Sequence, residues 1–410
     1  MNFEFDERAR EMRDRVETFF RTEILPLNPA YRRALKADPA EARAIVRTLQ
    51  DKARNLGLWN LAVPGLDEDA PGVRLTNLQF APLAEIMGRL HWASEVFNCH
   101  APDVPNMEVL AKYGTPEQKR RWLAPLLNAE IRSCFGMTEP DVASSDANNI
   151  ATRIERVGDE FVINGRKWFA TAAANPDCRL CVLVGVTDPD APRGRRHSVV
   201  LVPMDSPGLE IVRKIPVFHH VDETSPHTEL RLENVRIPVS NLLGKQGEGF
   251  AVGQARLGPA RIHHCMRAIG TCEVLIQLMY ERAGARKTFG RAVIENANVR
   301  DMIASSRLEL EQCRLMIHRA AWTIDTHGDH AARRDIALIK VAVARAYQAI
   351  ADRALQIFGA MGVTDDTPVA AAFTQARAFR IYDGPDEVHL RGIFGMEKPG
   401  AAGESRFYLS

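Results

Sequence analysis

The sequence predicts an α+β protein of three domains: an N-terminal helical domain, a middle antiparallel β domain and a C-terminal domain of the four-helix-bundle type. Two observations predict this order. The hydrophobic period changes from helical to strand-like near residue 131 and becomes helical again near residue 245. The chain of 410 residues is also long enough to bury a large core. We therefore expect domains at residues 1–130, 131–245 and 246–410.

The helical character of the first domain is clearest in the stretch "TPEQKRRWLAPLL". Thr115 can cap a helix, Pro116 suits the first helical position, and Gln118 completes a capping box with the threonine. We expect a helix to begin at this point.

The middle domain is predicted from short runs rich in β-forming residues, such as "CVLVGV" and "SVVLVPM". In "VGDEFVINGRKWF", Gly158-Asp159 and Asn164-Gly165 both match two-residue hairpin turns, so we expect a meander of antiparallel strands. Cys178 and Cys181 have CxxC spacing, but the chain contains no second CxxC. Their apolar surroundings favour core cysteines over a metal or redox site.

The C-terminal domain is predicted from two long amphipathic runs. The first run, "NVRDMIASSRLELEQCRLMIHRAAWTID", places apolar residues at spacings of three, four and seven, which predicts one buried stripe. The second run, "DIALIKVAVARAYQAIADRALQIFG", is rich in alanine, which lets helices approach closely in a bundle. The stripe consists of Val299, Met302, Ile303, Leu310, Cys313, Ile317, Ala320 and Ile324.

Composition excludes several classes of partner. The 53 Lys and Arg residues balance 52 Asp and Glu residues, so we expect no nucleic acid partner. The N-terminal stretch has no signal-peptide pattern, and no apolar run approaches the length of a membrane span. The seven cysteines are odd in number and scattered, which is typical of reduced thiols. We expect a cytoplasmic protein without a membrane span.

Familiar short motifs are absent: the sequence contains no P-loop, HExxH or GxSxG pattern, and no GxGxxG between a strand and a helix. The paired histidines His219-His220 and His263-His264, with His227 nearby, raise a metal hypothesis. Adjacent residues of a helix do not share the face that a helical zinc site uses, so we expect no metal.

Two stretches of the C-terminal half keep two interpretations each. In "ERAGARKTFGRAV", Arg286, Lys287 and Arg291 fit either a solvated helix exit or a group of donors for a phosphate. In "QIFGAMGV", Gly359 and Gly362 fit either a helix end or the close approach of backbone to a ligand.

The stretch "FRIYDGPDEVHLRG" likewise fits two interpretations. Asp383 or Gly384 can cap a helix that begins at Pro385, with Asp386 and Glu387 favoured in its first turn by the helix dipole. Alternatively, Asp383 is a catalytic base. Taken alone, the stretch favours capping.

Five stretches occur together and in order: "CFGMTEPDVASSD", "NGRKWFAT", "RKTFG", "QIFGAMG" and "IYDGPDEVH". This set resembles the FAD-dependent acyl-CoA dehydrogenase family over nearly the whole chain, and the order α, β, α is also the fold of that family. "MTEPDVASSD", "LGPARIHHCMR" and "DGPDEVH" resemble a subgroup whose eukaryotic and bacterial members are found partly as domains of larger proteins.

The resemblance implies that the middle domain contacts FAD through two segments. The first would line the flavin and meet a phosphate of FAD or coenzyme A through its serine. The second would lie near flavin N5, with Trp168 one residue before the aligned aromatic position. The residues implied are Phe135, Met137, Thr138 and Ser145 in the first segment, and Phe169 and Thr171 in the second.

Two further segments are implied to reach the FAD of a neighbouring subunit. Ala360 stands where the family pattern has its second glycine, which adds one methyl group at that contact. We therefore expect a homodimer or a homotetramer. The residues implied are Arg286, Phe289, Gln356, Gly359 and Ala360.

In the last stretch, Asp383 takes the position of the family's glutamate, which removes the α-proton of the substrate. An α-proton beside a thioester is weakly acidic, so the base must be held within hydrogen-bond reach. A water-excluded pocket would raise the basicity of the carboxylate. The resemblance also implies FAD contacts at Pro385, Asp386 and Glu387, and substrate contacts at Ser145, Gly258, Pro259, Arg261 and Gly384.

The sequence thus predicts an FAD-dependent acyl-CoA dehydrogenase of fatty-acid β-oxidation. It would form trans-2-enoyl-CoA and pass electrons to an electron-transferring flavoprotein. One alternative is a flavin oxidase on the same fold, similar to nitroalkane oxidases, which also can use an Asp base. A second is a helical binding protein without catalysis.

Overall fold

The structure, a computed structural model, describes residues 4–397. The chain divides into two compact units at the boundary between Thr271 and Cys272. The first three residues of the predicted N-terminal helical stretch, and the last thirteen of the predicted C-terminal domain, lie outside the described part.

Helices make up the first part of the chain, and their starts follow local capping chemistry. Asp6 accepts a hydrogen bond from Ala9 N at 2.8 Å and caps the first helix. The capping box of Thr115 and Gln118 is present, as predicted. The helices are α1 (Glu7–Phe19), α2 (Asn28–Ala37), α3 (Pro39–Asn55), α4 (Asn77–Met87), α5 (Ala93–Val96), α6 (Asp103–Tyr113), α7 (Pro116–Gln118) and α8 (Ala124–Leu127).

A mixed sheet of eight strands follows. Its strand order is β6-β7-β3-β2-β4-β5-β8, and β1 pairs with β4. Most neighbours are antiparallel, as predicted, but β1 and β2 each pair with β4 in parallel. The strands are β1 (Arg132–Gly136), β2 (Arg153–Val157), β3 (Glu160–Lys167), β4 (Cys178–Val186), β5 (His197–Pro203), β6 (Leu209–Lys214), β7 (Thr228–Pro238) and β8 (Leu242–Leu243).

Of the two predicted hairpin turns, one is correct. Gly158-Asp159 connects β2 to β3. The predicted turn at Asn164-Gly165 is wrong, because both residues lie inside β3 where its register with β7 shifts. A Cβ on Gly165 would lie 2.5 Å from Thr152 Oγ1, so the glycine serves a close approach within the sheet.

The core of this sheet includes the cysteines with CxxC spacing. Cys178 and Cys181 are buried on β4, and both belong to one apolar cluster with Cys134 of β1. The interpretation of this pair as core cysteines is confirmed.

The second unit is built on long helices. The two helical runs predicted from the sequence follow one another inside α10, separated only at Gly328, whose φ of 80° breaks the helical backbone. Most of the predicted apolar stripe is buried, with Met302 and Ile324 partly exposed. The elements are α9 (Gly249–Ala285), which begins in the first unit, β9 (Lys287–Thr288), β10 (Arg291–Ala292), α10 (Ala297–Phe358), α11 (Val369–Phe379) and α12 (Asp386–Met396).

Within residues 4–397, none of the helices combines the length and the apolar character that crossing a membrane requires.

Candidate active site

Two segments of the first unit that were predicted to contact flavin lie side by side. Trp168 N donates to the carbonyl of Thr138 at 3.0 Å, and Thr138 Oγ1 donates to the carbonyl of Trp168 at 2.6 Å. The loop after β1 and the chain after β3 are therefore fixed against each other. Met137, Thr138, Phe169 and Thr171 belong to this pair of segments.

A buried ion pair, which the sequence analysis missed, supports these segments from below. Lys167 has no exposed surface, and its Nζ lies 2.6 Å from Glu139 Oε1 and 3.0 Å from the carbonyl of Met137. Glu139 also accepts hydrogen bonds from Thr152 N, Thr152 Oγ1 and Ala151 N. The pair ties β3, the loop after β1 and the start of β2 together.

The ionisation of this pair follows from burial and proximity. Burial by itself would raise the pKa of Glu139, but Lys167 and the hydrogen bonds from Thr152 and Ala151 hold that pKa below 4.5. Burial lowers the pKa of Lys167, and the charge of Glu139 opposes this shift. Lys167 lies in the stretch "NGRKWFAT" and Glu139 in "MTEP". Their opposite charges, in two stretches predicted to contact flavin, were the only sign of this pair in the sequence.

The chain after β3 adopts an unusual backbone. Phe169 has φ of 52° and Ala172 has φ of 68°, a region that side chains other than glycine rarely occupy. The Phe169 ring is 40% exposed and meets Trp168 edge-on, with ring centroids 5.1 Å apart. Strained backbone and an exposed aromatic ring are typical of a ligand site.

His227, considered in the sequence only as a metal ligand, contacts both predicted flavin residues of this chain segment. Its Nδ1 lies 2.9 Å from Thr171 Oγ1, and its ring lies 5.5 Å from the Phe169 ring. Burial lowers the pKa of His227 below its ordinary 6.5. The imidazole is therefore neutral at neutral pH.

The other predicted residues of the first unit are spread over β1, the following loop and α9. Phe135 is half-buried, and the guanidinium of Arg256, on α9, lies 3.7 Å above its ring. Ser145 is exposed on the loop after β1. The predicted substrate residues Gly258, Pro259 and Arg261 are half-buried on α9.

In the second unit, Asp383 lies on a tight turn before α12. Asp383 has φ of 56° and Gly384 has φ of 99°. Pro385 occupies the N-cap position and α12 begins at Asp386, one residue later than predicted. The predicted cap at Asp383 or Gly384 is therefore wrong, because the turn places both residues before the N-cap position.

His389 holds this turn in place from within α12. Its Nε2 lies 3.2 Å from the carbonyl oxygen of Asp383. A Cβ on Gly384 would lie 2.8 Å from the same Nε2, so a side chain at residue 384 would collide with the imidazole. Asp383 itself is half-buried.

Two arginines fix the first residue of α12. Asp386 is buried, and its Oδ2 lies 3.1 Å from Arg345 Nε and 2.8 Å from Arg380 Nη2. Its Oδ1 is also buried and has no hydrogen-bond partner among residues 4–397. Glu387, the next residue, is exposed.

A second buried lysine, missed by the sequence analysis, lies below the same turn. Lys340 of α10 is 1% exposed, and its Nζ donates to the carbonyl of Phe379 at 2.6 Å. The ammonium lies 4.4 Å from the Phe379 ring centroid and 5.7 Å from that of Tyr382. It anchors the end of α11 close to Asp383 in the chain.

The segments predicted to reach a neighbouring subunit are exposed. Phe289 stands at the tip of the hairpin between β9 and β10, with a fully exposed ring and φ of 49°. Gly359 ends α10 with φ of 62°, as expected of a helix C-terminus. Arg286, Gln356 and Ala360 are exposed as well.

Comparison with known proteins identifies the family. Three family models match the chain in order: the acyl-CoA dehydrogenase N-terminal domain at residues 6–130, the middle domain at 134–235 and the C-terminal domain at 247–395. The chain belongs to the acyl-CoA dehydrogenase family. It is accordingly an oxidoreductase and a flavoprotein, with FAD as its cofactor.

Individual relatives agree with this assignment. The chain is 48% identical to "Probable acyl-CoA dehydrogenase FadE2" of Mycobacterium tuberculosis, over 97% of each chain. It is 46% identical to acyl-CoA dehydrogenase family member 10 of Mus musculus, but spans only 37% of that protein. A solved Mycobacterium abscessus structure, described as a candidate acyl-CoA dehydrogenase, is 44% identical, with a TM-score of 0.92 over 96% of this chain and 99% of that one.

Proposed function

We propose that the protein oxidises a saturated acyl-CoA to the trans-2-enoyl-CoA, with Asp383 as the base that removes the α-proton. The observation that carries this proposal is the turn of Asp383. A half-buried carboxylate stands on strained backbone directly before a helix N-terminus, and His389 and the arginine pair at Asp386 fix that turn. Backbone strain of this kind is concentrated at functional sites.

The described residues fit a flavin. The first unit offers the exposed Phe169 ring and the Thr171 hydroxyl on one fixed segment, with Ser145 exposed on the neighbouring loop. In the second unit, the buried Oδ1 of Asp386 has no hydrogen-bond partner among residues 4–397, which suits a contact with a bound molecule. We propose that Phe169, Thr171 and Ser145 of the first unit contact FAD together with Phe135, Met137 and Thr138.

The reaction would break two C–H bonds of the substrate. Asp383 accepts the α-proton, and the electrons of that bond form the new double bond as a hydride leaves the β-carbon. When bound, FAD supplies the acceptor for this hydride. The N-terminus of α12, which begins three residues after Asp383, would favour the negative charge that develops on the thioester oxygen.

Asparagine in place of Asp383 is the sharpest test of the base. We expect Asp383→Asn to purify yellow and to bind acyl-CoA, because asparagine keeps nearly the same shape. It should lose at least about 100-fold in the rate at which acyl-CoA bleaches the flavin, the usual scale for a lost general base. Anaerobic stopped-flow absorbance measures this rate.

Asp366→Asn is the matched control, since Asp366 is an exposed carboxylate of the same unit. It should bleach at the wild-type rate. Unchanged bleaching by Asp383→Asn would show that the base lies elsewhere. The proposed reaction would be contradicted if the wild-type protein binds FAD but none of the acyl-CoA thioesters in a chain-length panel bleaches the flavin.

We also propose that electrons pass to an electron-transferring flavoprotein rather than to oxygen. The reduced enzyme should reoxidise slowly in air and rapidly with such a flavoprotein, followed by the return of flavin absorbance. Rapid turnover with oxygen would instead support an oxidase on the same fold.

The exposed hairpin tip supports a further proposal, that two copies of the chain complete each FAD site. An exposed phenylalanine is unfavourable in water, and Phe289 projects fully from its hairpin. Analytical ultracentrifugation should find a dimer or tetramer. Phe289→Ser should weaken FAD binding, and Phe394→Ser, at another exposed ring, should not. A monomer that binds FAD tightly would contradict this assembly.

A further inference from the structure

The segment that carries Phe169 and Thr171 pairs with the chain that enters β7. Ala170 N donates to the carbonyl of Thr228, and Ala172 N donates to the carbonyl of Pro226, each at 2.9 Å. These bonds continue the antiparallel pairing with β7 beyond the end of β3, with the register shifted by one residue. Thr171 is therefore placed directly opposite His227, and side chains of opposite residues point to the same face.

The side chain of His227 makes two contacts, one through a ring nitrogen and one through the ring as a whole. Its Nδ1 lies 2.9 Å from Thr171 Oγ1, while the ring is tilted at 56° to that of Phe169. The backbone of His227 is fixed too, because its carbonyl accepts a hydrogen bond from Ile215 N at 2.7 Å. One imidazole thus sets the orientation of the two side chains that the proposed function places at the flavin.

We propose that His227 is a positioning residue of the flavin site, which holds the Thr171 hydroxyl and reverses the direction of their hydrogen bond when the flavin changes redox state. This inference rests on the proposed function, because it requires the Thr171 hydroxyl to contact flavin N5. The contact between His227 and Thr171 belongs to the chain alone.

The reversal follows from the chemistry of the two partners. A flavin accepts a hydrogen bond at N5 when oxidised and donates one there when reduced. In the oxidised state the Thr171 hydroxyl would donate to N5, and Nδ1–H of His227 can donate to the hydroxyl oxygen. In the reduced state the hydroxyl oxygen would accept from N5, so its own proton needs an acceptor, and Nδ1 at 2.9 Å is nearer than the carbonyl of Phe169 at 3.4 Å. A neutral imidazole suits both states by exchanging tautomers, in which one ring proton moves from Nδ1 to Nε2 and the charge of the ring stays the same.

The surroundings of His227 favour the neutral ring that this exchange needs. Burial lowers its pKa, and the charge of Asp222 opposes that shift without overcoming it, while His91 adds to it. Asp222 lies 3.3 Å from His91 Nε2 and accepts bonds from Thr224 and Ser225. The other possible acceptor for the Thr171 hydroxyl is the carbonyl of Phe169, at 3.4 Å, which cannot donate.

Two substitutions at residue 227 and one control separate positioning from general packing. His227→Leu removes both hydrogen-bonding roles. His227→Asn keeps a polar atom near the place of Nδ1, and its amide can turn to donate or accept. His220→Leu is the control, because His220 is an exposed histidine of the loop between β6 and β7.

The first measurement is the dissociation constant of FAD, oxidised and reduced, by anaerobic titration of the apoproteins. His227→Leu should weaken the binding of both forms about threefold to tenfold, the value of one hydrogen bond. His227→Asn should stay within about twofold of wild type, as should His220→Leu. Equal affinities for all four proteins would overturn the inference.

The second measurement is long-range 1H–15N NMR of His227 in the histidine-labelled holoprotein. We expect Nδ1 to carry a proton in one redox state of the flavin and not in the other. An unchanged Nδ1 signal would overturn the reversal even if the affinities change. The proposed function has its own outcome: wild-type protein that fails to bind FAD would end both proposals. If acyl-CoA bleaches the flavin normally but His227→Leu does not change FAD affinity and the Nδ1 signal does not change, only the inference about His227 is contradicted.

Discussion

Two buried lysines each support one of the candidate segments, Lys167 in the first unit and Lys340 in the second, and they do so differently. Lys167, below the predicted flavin segments, pairs with the carboxylate of Glu139 at 2.6 Å. Lys340, below the turn of Asp383, donates to the carbonyl of Phe379 at 2.6 Å and faces two aromatic rings. Lys167 meets an ion, whereas Lys340 meets a backbone dipole and two ring faces.

The difference predicts which substitutions destabilise each region most. Removing Lys167 leaves a negative charge inside the sheet, which is among the costliest changes in a protein core. Removing Lys340 breaks its hydrogen bond to the neutral carbonyl at the end of α11, and losing a bond of that kind costs less. We expect the first region to depend on charge balance and the second on the geometry of a backbone turn.

The largest effect is expected for Lys167→Met. It should lower the free energy of unfolding by about 3–5 kcal/mol, the usual cost of breaking a buried ion pair. Urea denaturation measures this loss. The double variant Lys167→Met with Glu139→Gln should lose less, because no buried charge remains. A loss below about 1 kcal/mol for the single variant would show that Glu139 tolerates isolation.

Lys340→Met should have a smaller effect on stability, about 1–3 kcal/mol, for a charged hydrogen bond and its contacts with aromatic rings. Its effect on catalysis should be larger than that of Lys167→Met at equal FAD saturation, because the end of α11 leads directly to Asp383. Denaturation and flavin bleaching measure the two effects. Equal destabilisation by both lysine variants would break the comparison.

Gly384→Ala tests the backbone of the turn. We expect it to cost about 1–2 kcal/mol, because φ of 99° disfavours a side chain and the new Cβ would meet His389 Nε2 at 2.8 Å. Gly392→Ala is the matched control within α12, since its Cβ would meet no atom within 4 Å. Thermal unfolding compares the two variants. Equal unfolding midpoints would show that the turn does not require glycine at residue 384.

The smallest effect concerns acid. Because Lys167 and its hydrogen bonds hold the pKa of Glu139 below 4.5 in the folded chain, that carboxylate contributes stability above pH 4.5. This contribution is lost as the pH falls through the folded-state pKa. Unfolding free energy below pH 4.5 should therefore fall more steeply for wild type than for Glu139→Gln. If the unfolding free energies of wild type and Glu139→Gln fall in parallel below pH 4.5, the ion pair does not contribute to acid destabilisation.

Local chemistry allowed much of the fold to be predicted. The capping box at Thr115, the turn at Gly158-Asp159 and the helix end at Gly359 each depend on residues close in sequence, and each is confirmed. The turn at Asn164-Gly165 was predicted by the same reasoning and is wrong. The glycine there makes room for Thr152, directly before β2, and a local sequence pattern does not show that close approach.

The candidate site divides in the same way. The stretches that carry Asp383, Phe169 and Thr171 stand out by their order along the chain, and the family they indicate is confirmed. The roles of these residues stay predictions. Lys340 drew no attention in the sequence, because a lone lysine in a helix has many ordinary explanations. His227 was considered only as a metal ligand beside the paired histidines, and nothing local connects it to Thr171.

The order of helical and strand-rich parts, the family and the segments where chemistry is expected follow from the amino-acid sequence, since they depend on hydrophobic period and on motifs in order. The side chains that support those segments become known from the fold alone. Lys167 meets Glu139 across 28 residues, and His227 meets Thr171 across 56. Such contacts arise from strand pairing and from burial, which together decide whether a charge needs a partner.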